Sequence, residues 1–215
     1  MVIGIAGKTG AGKNRVAELL LQQGWRALDL DLVAHEALDA LAPALKDSFG
    51  PSILKENRVD RRALGQLVFQ NGEKLKQLEK LTYPWIEKAC QEWVESQPSI
   101  PAAVHGVNLH KTAIPEHVDA IIWVYAPYFQ RKKRVMKRDQ RCWKELKGRF
   151  RQQKRLSPKL FSSRADIYIV RNSQNVEALE ASLERALRCM TEAQGIKAKA
   201  SQPGRDNNER RQHEP

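Results

Sequence analysis

Apolar residues come in short runs along this chain, and the spacing inside each run predicts an element. Val2, Ile3, Ile5 and Ala6 form a nearly continuous apolar stretch, as expected of a strand buried on both faces. Val16, Ala17, Leu19 and Leu20 recur at helical spacing, and Gly24 supplies a stop. A second strand is expected from Trp25 to Asp29, then one helix beginning over Val33–Leu38 and another over Pro43–Phe49, ended by Gly50. Asp60 is placed to N-cap a helix from Arg61 to Phe69, with Gly72 as its break. Leu75, Leu78, Leu81, Ile86 and Trp93 carry a helical rhythm from Glu73 to Val94, which Pro84 is expected to interrupt or restart.

Further strands are expected over Ala102–Leu109, Val118–Ala126 and Asp166–Val170, with a basic, helix-patterned segment before the last. An amphipathic helix over Val176–Met190 closes the folded part. Strands alternating with helices predict an α/β fold in which a parallel sheet is covered by helices on both faces. The helical stretch 33–97 is too long for a simple crossover and reads as an inserted subdomain within one domain spanning 1–194. Residues 195–215 are polar and poor in apolar side chains, the composition of a disordered tail.

With 215 residues and 41% hydrophobic side chains, the chain can bury one α/β core. No apolar run reaches membrane-spanning length, no basic leader precedes the first strand, and the three cysteines form neither a zinc pattern nor a disulfide framework. These features lead us to expect a cytoplasmic protein without a membrane partner. Charge changes the picture more. Of a net +12, nearly all lies between Gln130 and Arg155, where thirteen Lys/Arg face only Asp139 and Glu145. Such a segment requires a polyanionic partner or a solvated basic face.

The candidate polyanion is named by the turn after the first strand. Gly7-Lys8-Thr9-Gly10-Ala11-Gly12-Lys13 has the spacing of a phosphate-binding loop, with strand before and helix after. Glycines let the backbone curl around phosphates with its N–H groups inward, Lys13 supplies a charge for the β- and γ-phosphates, and the helix start adds its dipole. Asn14 stands where Ser or Thr usually offers a hydroxyl to Mg²⁺. Asp29 and Asp31 fall at the carboxyl end of the second strand, where α/β active sites form, although Asp31 is equally placed to N-cap the following helix.

From about Val2 to Leu179 the chain resembles the dephospho-CoA kinase family. The resemblance is carried by the loop Gly7–Lys13, by Asp29-Leu30-Asp31 with Ala34-His35, and by Phe49-Gly50. Asp60-Arg61 with Leu64 and Val68-Phe69, and Leu78-Glu79 before Tyr83-Pro84, continue it. Arg134, Arg138-Asp139, Arg149 with Gln153, Ala165-Asp166 and Asn172 complete it in family order. It implies a P-loop kinase fold with a helical substrate subdomain (33–97) and an Arg-bearing lid (130–160). It also implies transfer of the ATP γ-phosphoryl to the 3′-hydroxyl of dephospho-CoA. By this resemblance Asp31 is the base, Lys13 and Arg138 are catalytic, and Asn14 and Asp31 hold Mg²⁺. Gly7, Lys8, Thr9, Gly10, Ala11, Gly12, Lys13, Asn14, Arg149 and Asn172 would hold ATP, Asn172 by lining an adenine pocket after the last strand.

The chain departs from the family pattern at three places. Besides Asn14, Tyr83 replaces the histidine of a His-Pro pair, and Val107-Asn108-Leu109-His110-Lys111 stands where the family has Pro-Leu-Leu-Phe-Glu. Three rivals therefore stand beside an active dephospho-CoA kinase: a kinase of another small-molecule hydroxyl, a catalytically weakened nucleotide-binding relative, and a nucleic-acid binder using the basic segment. The last is disfavoured by having only Phe129, Trp143 and Phe150 there as stacking platforms. No nucleic-acid partner is expected.

Overall fold

A computed structural model describes residues 1–69 and 71–200 of the chain. Five parallel strands form its central sheet: β1 (Val2–Ala6), β2 (Arg26–Asp29), β5 (Ala102–His105), β6 (Ala120–Tyr125) and β7 (Asp166–Arg171). Their spatial order is β2-β5-β1-β6-β7, so β1 has β5 on one side and β6 on the other. The chain leaves β1 toward one edge and later returns to its other side, opening a crevice at the strands' carboxyl ends.

The three inner strands, β1, β5 and β6, are almost wholly apolar because both of their faces are covered, while the edge strands β2 and β7 begin and end on charged residues. Ile3 and Ile5 of β1 and Ile122 and Val124 of β6 point to one face, where they pack with α1 (Lys13–Gln22) and α8 (Val176–Ala200) through Val16, Leu20, Leu179 and Leu183. Ile121, Trp123 and Val104 point to the other. There they meet α2 (Leu30–Ala40) through Val33 and Ala37 and α5 (Gly72–Glu95) through Ile86 and Cys90. Burial and the neighbouring Glu87 push the Cys90 thiol up to about 11.

A third cluster belongs to the expected inserted region. Leu45 and Phe49 of α3 (Ala42–Phe49) and Leu64 and Val68 of α4 (Arg61–Phe69) bury against Ile53 and Val59, with Leu75 and Leu78 of α5 alongside. Between α3 and α4 lies a two-stranded hairpin, β3 (Leu54–Lys55) and β4 (Arg58–Val59), turned by Glu56 and Asn57 at positive φ. The basic segment forms α6 (Tyr128–Asp139) and α7 (Trp143–Gln152). Among the described residues no helix is long and apolar enough to cross a membrane.

Several boundaries differ from the sequence reading. Asp60 does accept from the amides of Arg62 and Ala63 as the cap of α4, but Gly72 does not end that helix. It starts α5, because Asn71 accepts from the amides of Glu73 and Lys74 as the cap. The strand expected to reach Leu109 stops at His105: Gly106 passes Leu30 so closely that a Cβ would lie 2.9 Å from that side chain, and Leu109 turns inward in a short 3₁₀ segment. Gly195 lies inside α8 rather than opening a tail, since one glycine costs only about 1 kcal/mol among good helix formers. The rest of the expected tail, 201–215, lies outside the described residues, as does Gln70.

Pro84 is the sharpest correction. α5 runs unbroken through it for 24 residues. The apolar stripe on either side is held by two clusters, so packing overrides the proline. Pro84 has no N–H for the carbonyl one turn earlier. Pro84→Ala is therefore expected to raise the free energy of unfolding by roughly 1–3 kcal/mol. A fall in the denaturation midpoint would show instead that the ring's contacts outweigh the missing hydrogen bond.

Candidate functional site

A cleft of about 850 Å³ opens at the carboxyl end of β1. Its floor is the loop joining β1 to α1. Gly7, Gly10 and Gly12 have φ of 156°, 77° and 102°, and at Gly12 a Cβ would lie 2.1 Å from the Asn172 side-chain nitrogen. Only glycine satisfies both the left-handed backbone and that approach. Lys13 begins α1 and is 8% exposed, its ammonium folded back to donate to the Gly7 carbonyl at 3.1 Å. Burial pushes its pKa down, and the carboxylates of Asp31 and then Asp29 oppose that shift.

Asp29, not Asp31, caps α2: its carboxylate accepts from the Asp31 amide at 2.9 Å. The side chain of Asp31 is thereby released to line the cleft, where it accepts from the Val107 amide at 3.3 Å. The end of β5 has a polar member that sequence reasoning missed. His105, paired in register with Asp29 across β2 and β5, is 6% exposed with its Nδ1 3.9 Å from that carboxylate. Burial pushes its pKa down. A histidine ending the apolar run Ala102-Ala103-Val104 was the available signal.

The basic segment forms the opposite wall. Arg134, Arg138, Arg149 and Gln153 all line the cleft, together with Asn14 on the loop side. Gln153 accepts from the Thr9 amide at 2.6 Å, and Lys8 donates to the Lys154 carbonyl at 3.3 Å, so α7 and its exit rest on the loop. Burial and the nearby Arg131 push the Lys8 pKa down. Arg131 itself donates to the Thr9 carbonyl at 3.3 Å.

Asn172 directly follows the end of β7. It is buried behind the loop, not on the cleft wall: its amide nitrogen donates to the Ala11 carbonyl at 2.8 Å and its oxygen accepts from Arg134 at 3.2 Å. The other terminal nitrogen of Arg134 is buried with no hydrogen-bond partner among the described residues. A buried guanidinium nitrogen facing a glycine loop is suited to an anion. Arg61 pairs with Asp39 at 3.5 Å and does not line the cleft.

The altered stretch forms the far end. Glu79 and Lys111, both on the cleft wall, make an ion pair, so the reversed charge at 111 meets an acid from α5. Tyr83 lies half-buried beside that acid, and burial followed by the Glu79 charge pushes its pKa up. The aromatic residues of the basic segment are mostly spent on one another: Tyr128, Trp143 and Phe150 pack edge to face, with Arg131 over Phe150 and Lys132 over Trp143.

Among the described residues no group of three acidic, His or Cys side chains could hold a metal alone. Asn14 and Asp31 nevertheless present hard oxygen donors to one cleft. Such a sparse set suits Mg²⁺, which keeps waters and takes its other ligands from phosphates.

Comparison with known proteins adds an independent line. A family model described as Dephospho-CoA kinase matches residues 1–177. The dephospho-CoA kinase of Latilactobacillus sakei is 31% identical over 200 residues, covering 90% of this chain and 98% of that protein. The crystal structure of TT1252 from Thermus thermophilus superposes with a TM-score of 0.75 at 31% identity, covering 87% of this chain and 96% of that one. Dephospho-CoA kinase from Campylobacter jejuni superposes with a TM-score of 0.58 at 26% identity, covering 88% and 96%.

The loop geometry makes one strict demand. Gly12→Ala forces a left-handed non-glycine residue, costing about 1–2 kcal/mol before its contact with Asn172 is counted. ATP binding followed by calorimetry is expected to weaken by about tenfold or more. Unchanged affinity would mean that the loop does not need this backbone.

Proposed function

The chain belongs to the dephospho-CoA kinase family, and from that premise we propose that the cleft between the glycine loop, α2 and the α6–α7 wall is where ATP and dephospho-CoA meet. The chain transfers the γ-phosphoryl of ATP to the 3′-hydroxyl of dephospho-CoA, the last step of coenzyme A biosynthesis. The observation that carries the site assignment is Asp31: freed from capping by Asp29, it lines the same cleft as Lys13 and Asn14.

Phosphoryl transfer needs positioning and charge neutralisation more than covalent help. The backbone from Gly7 to Gly12, through Lys8, Thr9, Gly10 and Ala11, cradles the triphosphate. Lys13 exchanges the Gly7 carbonyl for the β- and γ-phosphate oxygens, which relieves the strain of a buried ammonium. Arg138 and Arg149 draw charge from the transferring group, and Arg134 offers its unpartnered nitrogen to the nucleotide's phosphates. Asn172 acts from behind, holding the loop at Ala11 and Arg134 in line.

Asp31 accepts the proton of the ribose hydroxyl as it attacks. Asn14 and Asp31 would hold Mg²⁺, which would supply positive charge against that of the phosphates. Helices within 33–97 form the acceptor side, and 130–160 acts as the lid. The Lys111–Glu79 pair keeps the acceptor end charge-balanced despite the departure at 111, which favours a working enzyme over a weakened relative.

Mass spectrometry of the protein with Mg-ATP and dephospho-CoA should reveal coenzyme A and ADP. ATP turnover restricted to other hydroxyl acceptors would refute the reading. Asp31→Asn should lower turnover by at least about a hundredfold while ATP still binds; near-normal phosphorylation in that variant would remove Asp31 as the base. Asn14→Thr should raise turnover or reduce the Mg²⁺ concentration needed for half-maximal rate. A Mg²⁺ titration that does not move would sever position 14 from the metal.

A further inference from the structure

Asp139 is one of only two acids among the thirteen cations of the basic segment. It ends α6, the chain reverses through Gln140 in a left-handed conformation (φ 50°), and α7 begins at Trp143. At this corner one carboxylate oxygen of Asp139 accepts from Arg138 Nε at 2.7 Å, and the other accepts from Arg149 Nη1 at 2.8 Å. The hydrogen bond from Arg138, with the positive charge of both partners, holds the acid below the usual carboxylate range.

Exposure is divided unevenly across this trio. The side chain of Asp139 is 15% exposed, while those of Arg138 and Arg149 are 64% and 50% exposed. The acid is anchored, and both cations reach past it to the cleft wall. A long arginine in this setting would sample many rotamers, and immobilising it only at the transition state would cost entropy. A carboxylate that engages one edge of each guanidinium fixes its plane and leaves the other N–H groups to the ligand.

We infer that Asp139 is a positioning residue for phosphoryl transfer, aiming Arg138 and Arg149 together from the two helices of the lid. This rests on the proposed phosphate contacts of those two arginines. Because the acid also subtracts charge from the cleft, it does not serve affinity for ATP. Its contribution appears in the chemical step, where misplacement of the charged groups is most costly.

The test compares Asp139→Asn, Arg138→Gln, Arg149→Gln and the two double variants built on Asp139→Asn, by steady-state kinetics and ATP titration. Asp139→Asn should lower kcat by about tenfold while the dissociation constant for ATP changes by less than about threefold. Its effect should largely vanish in either arginine background, since the groups act as one unit. Asp139→Glu keeps the charge but moves both oxygens; it should lose kcat as well, and it gives the same information if the Asn variant does not fold. Normal kcat with only a lowered melting temperature would reduce Asp139 to a structural tie and overturn the inference. So would full additivity in the double variants. If Arg138→Gln and Arg149→Gln both retain normal kcat, the phosphate contacts are wrong and the inference falls with them.

Discussion

A buried ammonium is the constraint around which this molecule is arranged. Lys13 is 8% exposed and sits at the start of α1, where the helix dipole is positive and therefore unfavourable for a cation. Its partner is a single carbonyl of its own loop, with the carboxylates of Asp31 and Asp29 nearby. A charge in that position is tolerable only because the loop curls around it and because an anion is its working partner. The sheet order makes the position possible. With β1 between β5 and β6, the loop emerges at the crevice and not at a rim, and the end of β2 and the first turn of α2 bring Asp29 and Asp31 near it.

Most of the sheet and its coverings were legible because both faces of the strands are buried, leaving continuous apolar runs in the chain. The glycine loop was legible because phosphate binding constrains the backbone itself, so the requirement is written directly as residue type. What could not be read were properties created by tertiary neighbours. Nothing local distinguishes Asp29 from Asp31 as the cap of α2, and only the hydrogen bond to the Asp31 amide separates them. Nothing in the periodicity of α5 says that two packed clusters will carry it through Pro84. Nothing local to Asn172 announces its support of the loop, since its partner Ala11 is about 160 positions away in the chain. Asp139 did leave a trace, as an isolated acid in a cationic run.

The departures from the family pattern also look different once neighbours are included. A lysine at 111 in place of an acid reverses the local charge when the sequence is read alone. In the fold it faces Glu79, and the pair together is neutral. Tyr83 takes a half-buried position beside the same Glu79, where desolvation disfavours its ionised form. These two changes therefore fall on one cluster around Glu79. Position 14 is separate, on the exposed first turn of α1 and on the cleft wall. The alterations divide into one on the first turn of α1 and a pair around Glu79, and they need not share a consequence.

The charges around the cleft are of two physical kinds, and their separation explains why so basic a segment is required. Lys13 and the loop amides are fixed to the end of the sheet; their positions follow from strand register and cost nothing to hold during a catalytic cycle. Arg138 and Arg149 are carried by two helices joined at a three-residue corner, with exposed side chains and one shared acid. Fixed charge suits an anion held throughout a cycle, whereas charge on long, exposed side chains suits a group whose charge changes as it is transferred. The contacts from Gln153 to Thr9 and from Lys8 to Lys154 join the two sets at the loop's outer edge. The remaining lysines of α6 and α7 follow from the same geometry: a thin helical hairpin exposed to water on one side and turning arginines to the cleft on the other has little apolar surface to bury.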